Sequence, residues 1–386
     1  MSNNLRLPRI KRVHNPFRTA KQLIRIGTLQ VGVSAEIEDE EGHIWQLLGL
    51  LDGTSTVAEV VQQMQQVYPE LTADSICAGI TSLIEQGFVE DAAALPPPEL
   101  SPSELARQER SLHYYAWVDT EPRSSPYETL LRLKRSRVTL LGLGGAGSAL
   151  AASLVAAGIG ELHCVDFDVI QVSNLNRQLL YTSADIGRSK VAVAIERLQQ
   201  LNPQVLVTGQ ELQIGSCSDL IPLMQQRELF VLCADTPIEQ IQRWVNEAAL
   251  STRTPWLLCG YAGPMLLCGL YLPYVSPCVS CFERHEAAKW EQQAPAGIER
   301  LHDEPPLNAV IAPSANLSGH FGALEAIYYL AGLKPQTIGR IFHWNLMLYD
   351  HVYYVEVPRL PDCPACGENS PWRHSMMDPP ELDCKV

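Results

Sequence analysis

The chain lacks an excess of basic residues and a P-loop motif. Its 29 lysines and arginines are outnumbered by 43 aspartates and glutamates, giving a formal net charge of −14. This balance argues against a broad nucleic-acid-binding surface. No Gly-x-x-x-x-Gly-Lys-Ser/Thr sequence is present, which excludes the P-loop proteins. A charged segment followed by an apolar one is missing at the N-terminus, so we expect no signal peptide.

Long apolar runs without interruption are also missing. Residues 138–160 and 254–282 carry no charge, but glycines interrupt the first stretch and prolines the second. This pattern favours strand–loop–helix and strand–turn–strand units buried inside a domain over membrane spans. The apolar fraction of 46% and the charged fraction of 19% are typical of globular proteins. We therefore expect a cytoplasmic protein without a membrane segment.

Prolines mark the clearest domain boundary. Residues 92–103 contain four of them, which favours an extended, semi-rigid linker. We predict a small winged-helix-like α+β domain over residues 1–92. The linker and the start of a helix follow over 93–109, and a larger α/β domain spans 110–386.

The segment before the linker has the pattern of three strands followed by three helices. Strands are predicted over 9–13, 22–26 and 30–37, and helices over 41–51, 56–67 and 72–86. Thr56 and Glu59 have capping-box spacing at the start of the second helix. A module of this kind binds a peptide, binds DNA or forms a dimer; nearby basic residues favour DNA, whereas the acidic chain opposes it.

After the linker, strand and helix patterns alternate, which predicts a largely parallel sheet. Its first strand, over 138–141, runs into a glycine-rich loop and an alanine-rich helix over 148–158. Such a loop lets the backbone approach phosphates, and the helix N-terminus favours their charge. Asp166 ends the next strand, where a carboxylate accepts hydrogen bonds from ribose. These features fit an NAD-binding enzyme or an adenylating enzyme; the simplest alternative is a glycine turn that serves only close packing.

Cationic residues beyond the loop separate these two enzyme classes. Arg177 and Lys190 follow the second strand, and a dehydrogenase gains little from cations there. An enzyme that attacks ATP at the α-phosphate needs them, because negative charge builds on the phosphoryl oxygens and on departing pyrophosphate. Asp235 follows the apolar strand over 229–233, where a carboxylate can hold Mg²⁺. The alternative is a set of coincidental surface salt bridges.

Residues 137–332 resemble the superfamily of ThiF, MoeB and the ubiquitin-activating enzymes. The resemblance implies a Rossmann-like α/β adenylation domain that uses ATP and Mg²⁺ to activate a carboxylate. It implies that Asp166 binds ribose and that Asp235 coordinates magnesium. The remaining ATP-site positions that it implies are Gly142, Gly144, Gly145, Gly147, Ser173, Asn174, Arg177, Gln178 and Lys190.

The resemblance also implies a homodimer, because the family uses an arginine from the partner subunit that lies before the first strand. Arg110, in the sequence Gln-Glu-Arg-Ser-Leu, is the candidate. The alternative is a solvated residue on a helix.

Two Cys-x-x-Cys pairs predict a metal site. Cys278 with Cys281, and Cys363 with Cys366, have the spacing of zinc knuckles. Four thiolates leave zinc no open position, so the role would be structural. The alternatives are redox-active pairs or free thiols.

No cysteine lies between Cys281 and Cys363, where ubiquitin-type activating enzymes carry the residue that forms a thioester. We therefore expect the acyl-adenylate to react with another nucleophile. Ser314, Asn316, His285 and His302 either line this site or serve as loop and cap residues.

The N-terminal domain resembles the PqqD-like domains of peptide-modifying enzymes, which bind a leader peptide as an added strand. Residues 30–37 would be the docking edge. Fused to an adenylation domain, this domain resembles the microcin C and pantocin A adenylating enzymes, which implies a ribosomally made precursor peptide as substrate. Ring closure or amide formation would follow. Two other hypotheses are an activator of a ubiquitin-like sulfur-carrier protein and a non-catalytic, leader-binding scaffold.

Overall fold

The structure is a computed structural model that describes residues 5–19, 23–27, 35–238, 240–293 and 309–373. The chain forms two compact units. The first comprises residues 1–132 and 331–333, and the second comprises 133–330 and 334–386. Within the described ranges, no helix is both long enough and apolar enough to cross a membrane.

The first unit contains short strands and three core helices. Its elements up to the linker are β1 Pro8–Ile10, β2 Phe17–Arg18, β3 Leu23–Ile26, β4 Ala35–Glu38, α1 His43–Leu50, α2 Val57–Val67, α3 Ala73–Glu85 and β5 Val89–Asp91. Strands β2, β3 and β4 form one antiparallel sheet, and β1 pairs with β5 in another. Ile24 and Ile26 of β3 are fully buried against the helices, together with Val60 and Met64.

The three predicted helices of this unit are confirmed, and so is the capping box. Glu59 accepts a hydrogen bond from the Thr56 backbone N–H at 2.7 Å, and the Thr56 hydroxyl accepts one from the Glu59 N–H at 3.3 Å. The predicted strand over 9–13 is wrong in extent, because the chain turns into a 3₁₀ helix at Arg12–His14. Residues 30–34 of the predicted docking edge lie outside the described residues, and residues 35–37 belong to β4.

The first unit continues past the proline-rich linker. It includes α4 Pro102–Arg107 and α5 Glu109–Val118, and α6 Glu128–Arg135 begins in it. The physical reason is a long-range contact: Lys11 donates a hydrogen bond to the Asp119 carbonyl, 108 residues along the chain, which ties the end of α5 to the start of the chain. The division into domains at residues 92 and 110 stays a prediction.

The second unit is an α/β domain built on an eight-stranded sheet. Its elements are β6 Arg137–Leu141, α7 Gly145–Ala157, β7 Glu161–Asp166, α8 Lys190–Leu201, β8 Leu206–Glu211, α9 Cys217–Met224, β9 Leu229–Leu232, α10 Gln240–Thr252, β10 Trp256–Ala262, β11 Met265–Tyr271, α11 Val279–Gln293, α12 Ala312–Ala331, β12 Arg340–Asn345 and β13 Val352–Glu356. The strand order is β13-β12-β11-β10-β9-β6-β7-β8.

The predicted parallel strands are five of the eight strands of this sheet. Strands β10, β9, β6, β7 and β8 are parallel neighbours, whereas β11, β12 and β13 continue the sheet in antiparallel fashion. Strands β12 and β13 were not predicted. The α/β fold class is confirmed, and the sheet brings the functional loops of the second unit to one edge.

Candidate nucleotide and zinc sites

The nucleotide-site candidates follow three neighbouring parallel strands. Strand β6 pairs with β7 on one side and with β9 on the other, so the strand order reverses here. The carboxyl ends of these strands carry Gly142, Asp166 and Asp235. In open α/β sheets, a ligand crevice lies outside the carboxyl ends of the strands at such a switch point.

The glycine loop is shaped by two close approaches. Gly142 has φ = +98°, and a Cβ placed on it would lie 2.7 Å from the Ala234 nitrogen. A Cβ on Gly147 would lie 1.9 Å from the Gly142 carbonyl oxygen. Helix α7 then begins after Gly144 with no side-chain cap. The N–H groups of its first turn are therefore available to an anion.

Asp166 is fixed beside this loop by backbone donors. Its side chain is buried, one carboxylate oxygen accepts from the Leu143 N–H at 2.7 Å, and the other accepts from the Asp168 N–H at 2.8 Å. A carboxylate oxygen accepts more than one hydrogen bond, so the group retains capacity for a ligand hydroxyl. The arrangement holds a negative charge at the mouth of the glycine loop.

Lys190 is the first residue of α8 and is almost fully buried. Its ammonium group lies 2.7 Å from the carboxylate of Asp168, which is about half exposed. Asp168 is not among the site residues that the sequence predicts. The signal for it was its position two residues after Asp166, which points both carboxylates toward the same loop.

Arg177 and its neighbours form a polar cluster in which two buried atoms lack a hydrogen-bond partner among the described residues. Arg177 donates to the Ser173 carbonyl at 2.9 Å, while its buried Nε has no partner among the described residues. Gln178 is 2% exposed and its Oε1 is also unpartnered. Asn174 is buried and accepts a hydrogen bond from the Gln171 N–H at 3.0 Å. Buried polar atoms are normally paired, so Arg177 Nε and Gln178 Oε1 are two unsatisfied polar atoms in this cluster.

A residue of α12 supports this cluster from the other side. The Asn316 amide donates to the Arg177 carbonyl at 3.0 Å and to the Ala312 carbonyl at 2.8 Å. The sequence left Asn316 as either a site residue or a cap. The hydrogen bond from its amide to the Arg177 carbonyl fixes the backbone at Arg177.

The remaining predicted residues are less tightly held. Asp235 is exposed at the end of β9, and Arg110 is exposed on α5 of the first unit. The Ser314 hydroxyl bonds the backbone at the start of α12. His285 is exposed on α11, and His302 lies outside the described residues.

The four predicted metal ligands come together in the second unit. Cys278, Cys281, Cys363 and Cys366 are all buried, and their sulfur atoms lie within 4.8 Å of one another. The cluster joins the start of α11 to the segment that follows β13. Accepting a hydrogen bond from the Cys278 thiol lowers the pKa of Cys281, as expected for closely packed thiols.

The cysteine geometry fits zinc. The Sγ atoms are separated by 4.0 Å in Cys278–Cys281, 3.7 Å in Cys278–Cys363 and 3.6 Å in Cys281–Cys366. Tetrahedral zinc with Zn–S bonds of about 2.3 Å places its ligands about 3.8 Å apart. The cluster could therefore hold one zinc ion by four thiolates, and it would then fasten the C-terminal segment to α11.

Comparison with known proteins relates this architecture to adenylating enzymes. The chain is 29% identical to the molybdopterin-synthase adenylyltransferase of Escherichia coli over 272 residues, which is 70% of this chain and 99% of that protein. It is 32% identical to the sulfur carrier protein adenylyltransferase of Thermus thermophilus over 257 residues, covering 64% and 88%. The structure of Escherichia coli MccB with AMPCPP and MccA aligns with a TM-score of 0.71 at 21% identity, covering 94% of this chain and all of that one.

The sequence model of the ThiF family matches residues 121–365. This match covers more than half of the chain and includes the glycine loop, Asp166, Lys190 and Asp235. The chain belongs to the ThiF family, and it is an ATP-dependent adenylating enzyme.

Proposed function

We propose that the enzyme adenylates a carboxylate of a ribosomally made precursor peptide, which it binds through its first unit. In this reaction a carboxylate oxygen bonds to the α-phosphorus of ATP, and the bond to pyrophosphate breaks. A nitrogen of the same peptide then displaces AMP to give a ring or an amide. The resemblance to the microcin C adenylating enzymes implies this class of substrate.

The observation that carries the proposal is the extent of the match. The match to the adenylyltransferase from Escherichia coli covers 70% of this chain, whereas the MccB fold covers 94%. MccB has also been solved in complex with MccA. The first unit therefore has a counterpart in an enzyme of that architecture, which favours a substrate that needs this unit.

We assign the chemistry to the polar groups around the glycine loop. The first-turn N–H groups of α7, with Arg177 and Lys190, would stabilise negative charge on the phosphates. Asp166 would accept ribose hydroxyls, and the exposed Asp235 would hold Mg²⁺. Arg110 would add a cation from the neighbouring subunit of a homodimer. Zinc at the four cysteines would stabilise the fold.

The peptide would extend the small sheet of the first unit along β4. Among the described residues, β4 pairs only with β3, and it ends the sheet order β2-β3-β4. Glu36 and Glu38 are exposed on this strand. An added strand gains main-chain hydrogen bonds from such an edge. Glu36 already pairs with Arg25 of β3, so Glu38 is the carboxylate that would favour a lysine or arginine of the leader opposite it.

A second candidate is activation of a sulfur-carrier protein. It is supported by the 29% and 32% identity to adenylyltransferases of that kind. In this case the substrate would be a folded carrier protein rather than a short peptide.

Product analysis separates these functions. The enzyme is mixed with Mg-ATP and either the synthetic short peptide encoded beside its gene or a ubiquitin-like carrier protein. Peptide-dependent AMP and pyrophosphate, with a mass change of the peptide, would support the proposal. Turnover only with the carrier would favour the second candidate, and ADP as the product would exclude adenylation.

A further inference from the structure

Two buried side chains at the start of the chain hold the C-terminal end of α5. The Lys11 ammonium donates to the Asp119 carbonyl at 2.8 Å, and His14 Nε2 lies 3.2 Å from the Ala116 carbonyl oxygen. Lys11 is 6% exposed and His14 is 2% exposed. Both contacts lie within the first unit.

These contacts satisfy carbonyl groups that a helix leaves unpaired. The last four carbonyls of an α-helix have no intrahelical donor, and a cation near them is also favoured by the helix dipole. Because a carbonyl oxygen only accepts, His14 must carry its proton on Nε2. Its Nδ1 is buried without a partner among the described residues, so the Ala116 contact is the one hydrogen bond found for this ring.

The donors lie on the segment between β1 and β2 of the predicted recognition domain. Lys11 follows β1, and its own N–H donates to the Phe88 carbonyl at 2.8 Å beside β5. His14 packs edge-on against the Phe88 ring, with centroids 5.5 Å apart. A displacement of β1 or β5 would therefore also displace the C-terminal end of α5.

Arg110 lies near the other end of the same helix. Helix α5 spans Glu109–Val118, and a helix of this length is a rigid rod with a rise of about 1.5 Å per residue. Tyr115 is buried on α5, whereas Arg110 is exposed. The position of α5 therefore sets where the guanidinium of Arg110 projects.

We propose that Lys11 and His14 are positioning residues, which fasten α5 to the peptide-recognition domain so that Arg110 is aligned for adenylation. This inference rests on the proposed function, because it takes Arg110 as a cation of the adenylation site. It adds that the recognition domain contributes to turnover as well as to peptide capture. Loss of either contact lowers kcat without weakening peptide binding.

The test is a double-mutant cycle. Lys11→Met, Arg110→Ala and the double variant are compared for peptide-dependent pyrophosphate release, with the synthetic short peptide encoded beside the gene as the probe. Lys11→Met is expected to lower kcat about 10- to 100-fold, the effect of a small misalignment. The dissociation constant of the fluorescently labelled peptide should change less than twofold. Lys11→Arg should recover most of the activity, and Arg12→Met, at the exposed residue that follows Lys11, should match the wild type.

The cycle distinguishes positioning from general stability. If Lys11 acts through Arg110, the double variant has the kcat of Arg110→Ala alone. Losses that multiply, or a weakened peptide affinity with unchanged kcat, would overturn the inference while leaving the proposed function intact. A wild-type enzyme that releases no pyrophosphate with this peptide would overturn both. If Lys11→Met does not fold, the same cycle is run with His14→Phe, which retains the ring packed on Phe88.

Discussion

Lys190 and Asp168 form an ion pair of unequal burial. The Lys190 side chain is 5% exposed and that of Asp168 is 48% exposed, with 2.7 Å between the ammonium nitrogen and the carboxylate oxygen. The lysine has lost most of its hydration, whereas the aspartate has not. Backbone hydrogen bonds also hold the pair in place. The Asp168 N–H donates to the Asp166 carboxylate, and the Asp168 carbonyl accepts from the Lys190 N–H at 3.1 Å.

Because the two side chains differ in burial, we expect substitution of Asp168 to lower the stability of the protein more than substitution of Lys190. Asp168→Asn leaves a buried ammonium without its counter-charge and should lower the free energy of unfolding by about 1–2 kcal/mol. Lys190→Met keeps the buried stem and leaves an aspartate that water can reach, so it should cost less than about 0.5 kcal/mol. Urea denaturation of the two variants measures both values. Equal losses would contradict the role of burial.

The activity of the same lysine variant should fall far more than its stability does. Lys190→Met removes a cation from the site where charge would build on the phosphates, and AMP formation should fall about 100-fold or more. The rate is measured by AMP release with saturating peptide. Its control is Arg188→Met, because Arg188 is an exposed neighbour that pairs with Asp185 and Glu196. A loss as large in the control would argue against a specific role for Lys190.

The glycine loop offers a matched pair of substitutions. A Cβ on Gly147 would lie 1.9 Å from the Gly142 carbonyl oxygen, whereas the nearest atom to a Cβ on Gly144 is 3.8 Å away. Gly147→Ala should lower stability by about 1–3 kcal/mol through overpacking and abolish nucleotide binding. Gly144→Ala should unfold like the wild type. Thermal denaturation with and without ATP tests this, and a stable Gly147→Ala that still binds ATP would contradict the loop geometry.

Metal analysis should find one zinc per chain at the four cysteines. Cys366→Ser removes one of four ligands and should reduce zinc content and thermal stability together, since structural zinc contributes directly to folding. Elemental analysis and the melting temperature give the two readouts. Cys77→Ser, outside the cluster, should retain both. A zinc-free wild type with unchanged stability after chelation would exclude a structural ion.

His14 should make stability depend on pH. Burial lowers the pKa of His14 below its ordinary value of 6.5, and the nearby Lys11 charge lowers it further. The unfolded chain therefore binds the proton first, so the stabilising contribution is complete above about pH 6.5 and is lost as pH falls below it. The melting temperature of His14→Gln, which does not titrate, should fall less than that of the wild type between pH 7.5 and 5.5. Parallel pH curves would show that the pKa of His14 is the same in the folded and unfolded states, which would contradict this prediction.

The sequence by itself determined the features that depend on local pattern. The capping box at Thr56, the strand before Gly142 and the strand that ends at Asp166 follow from residue periodicity and from the backbone demands of a few residues. The two Cys-x-x-Cys pairs identified all four candidate zinc ligands, because metal coordination requires their spacing whatever the intervening chain does. The ATP-site residues were named from their spacing and their resemblance to a family, and their roles stay predictions.

Only the tertiary structure decided which of these residues meet. Strands β12 and β13 carry mixed aromatic and polar residues, and they are strands because β11 offers an edge on which to pair. The partner of Lys190, the contact of Asn316 with Arg177, and the attachment of α5 through Lys11 all join residues far apart in the chain. Such contacts depend on how the helices and strands pack against one another, and local sequence propensity does not predict that packing.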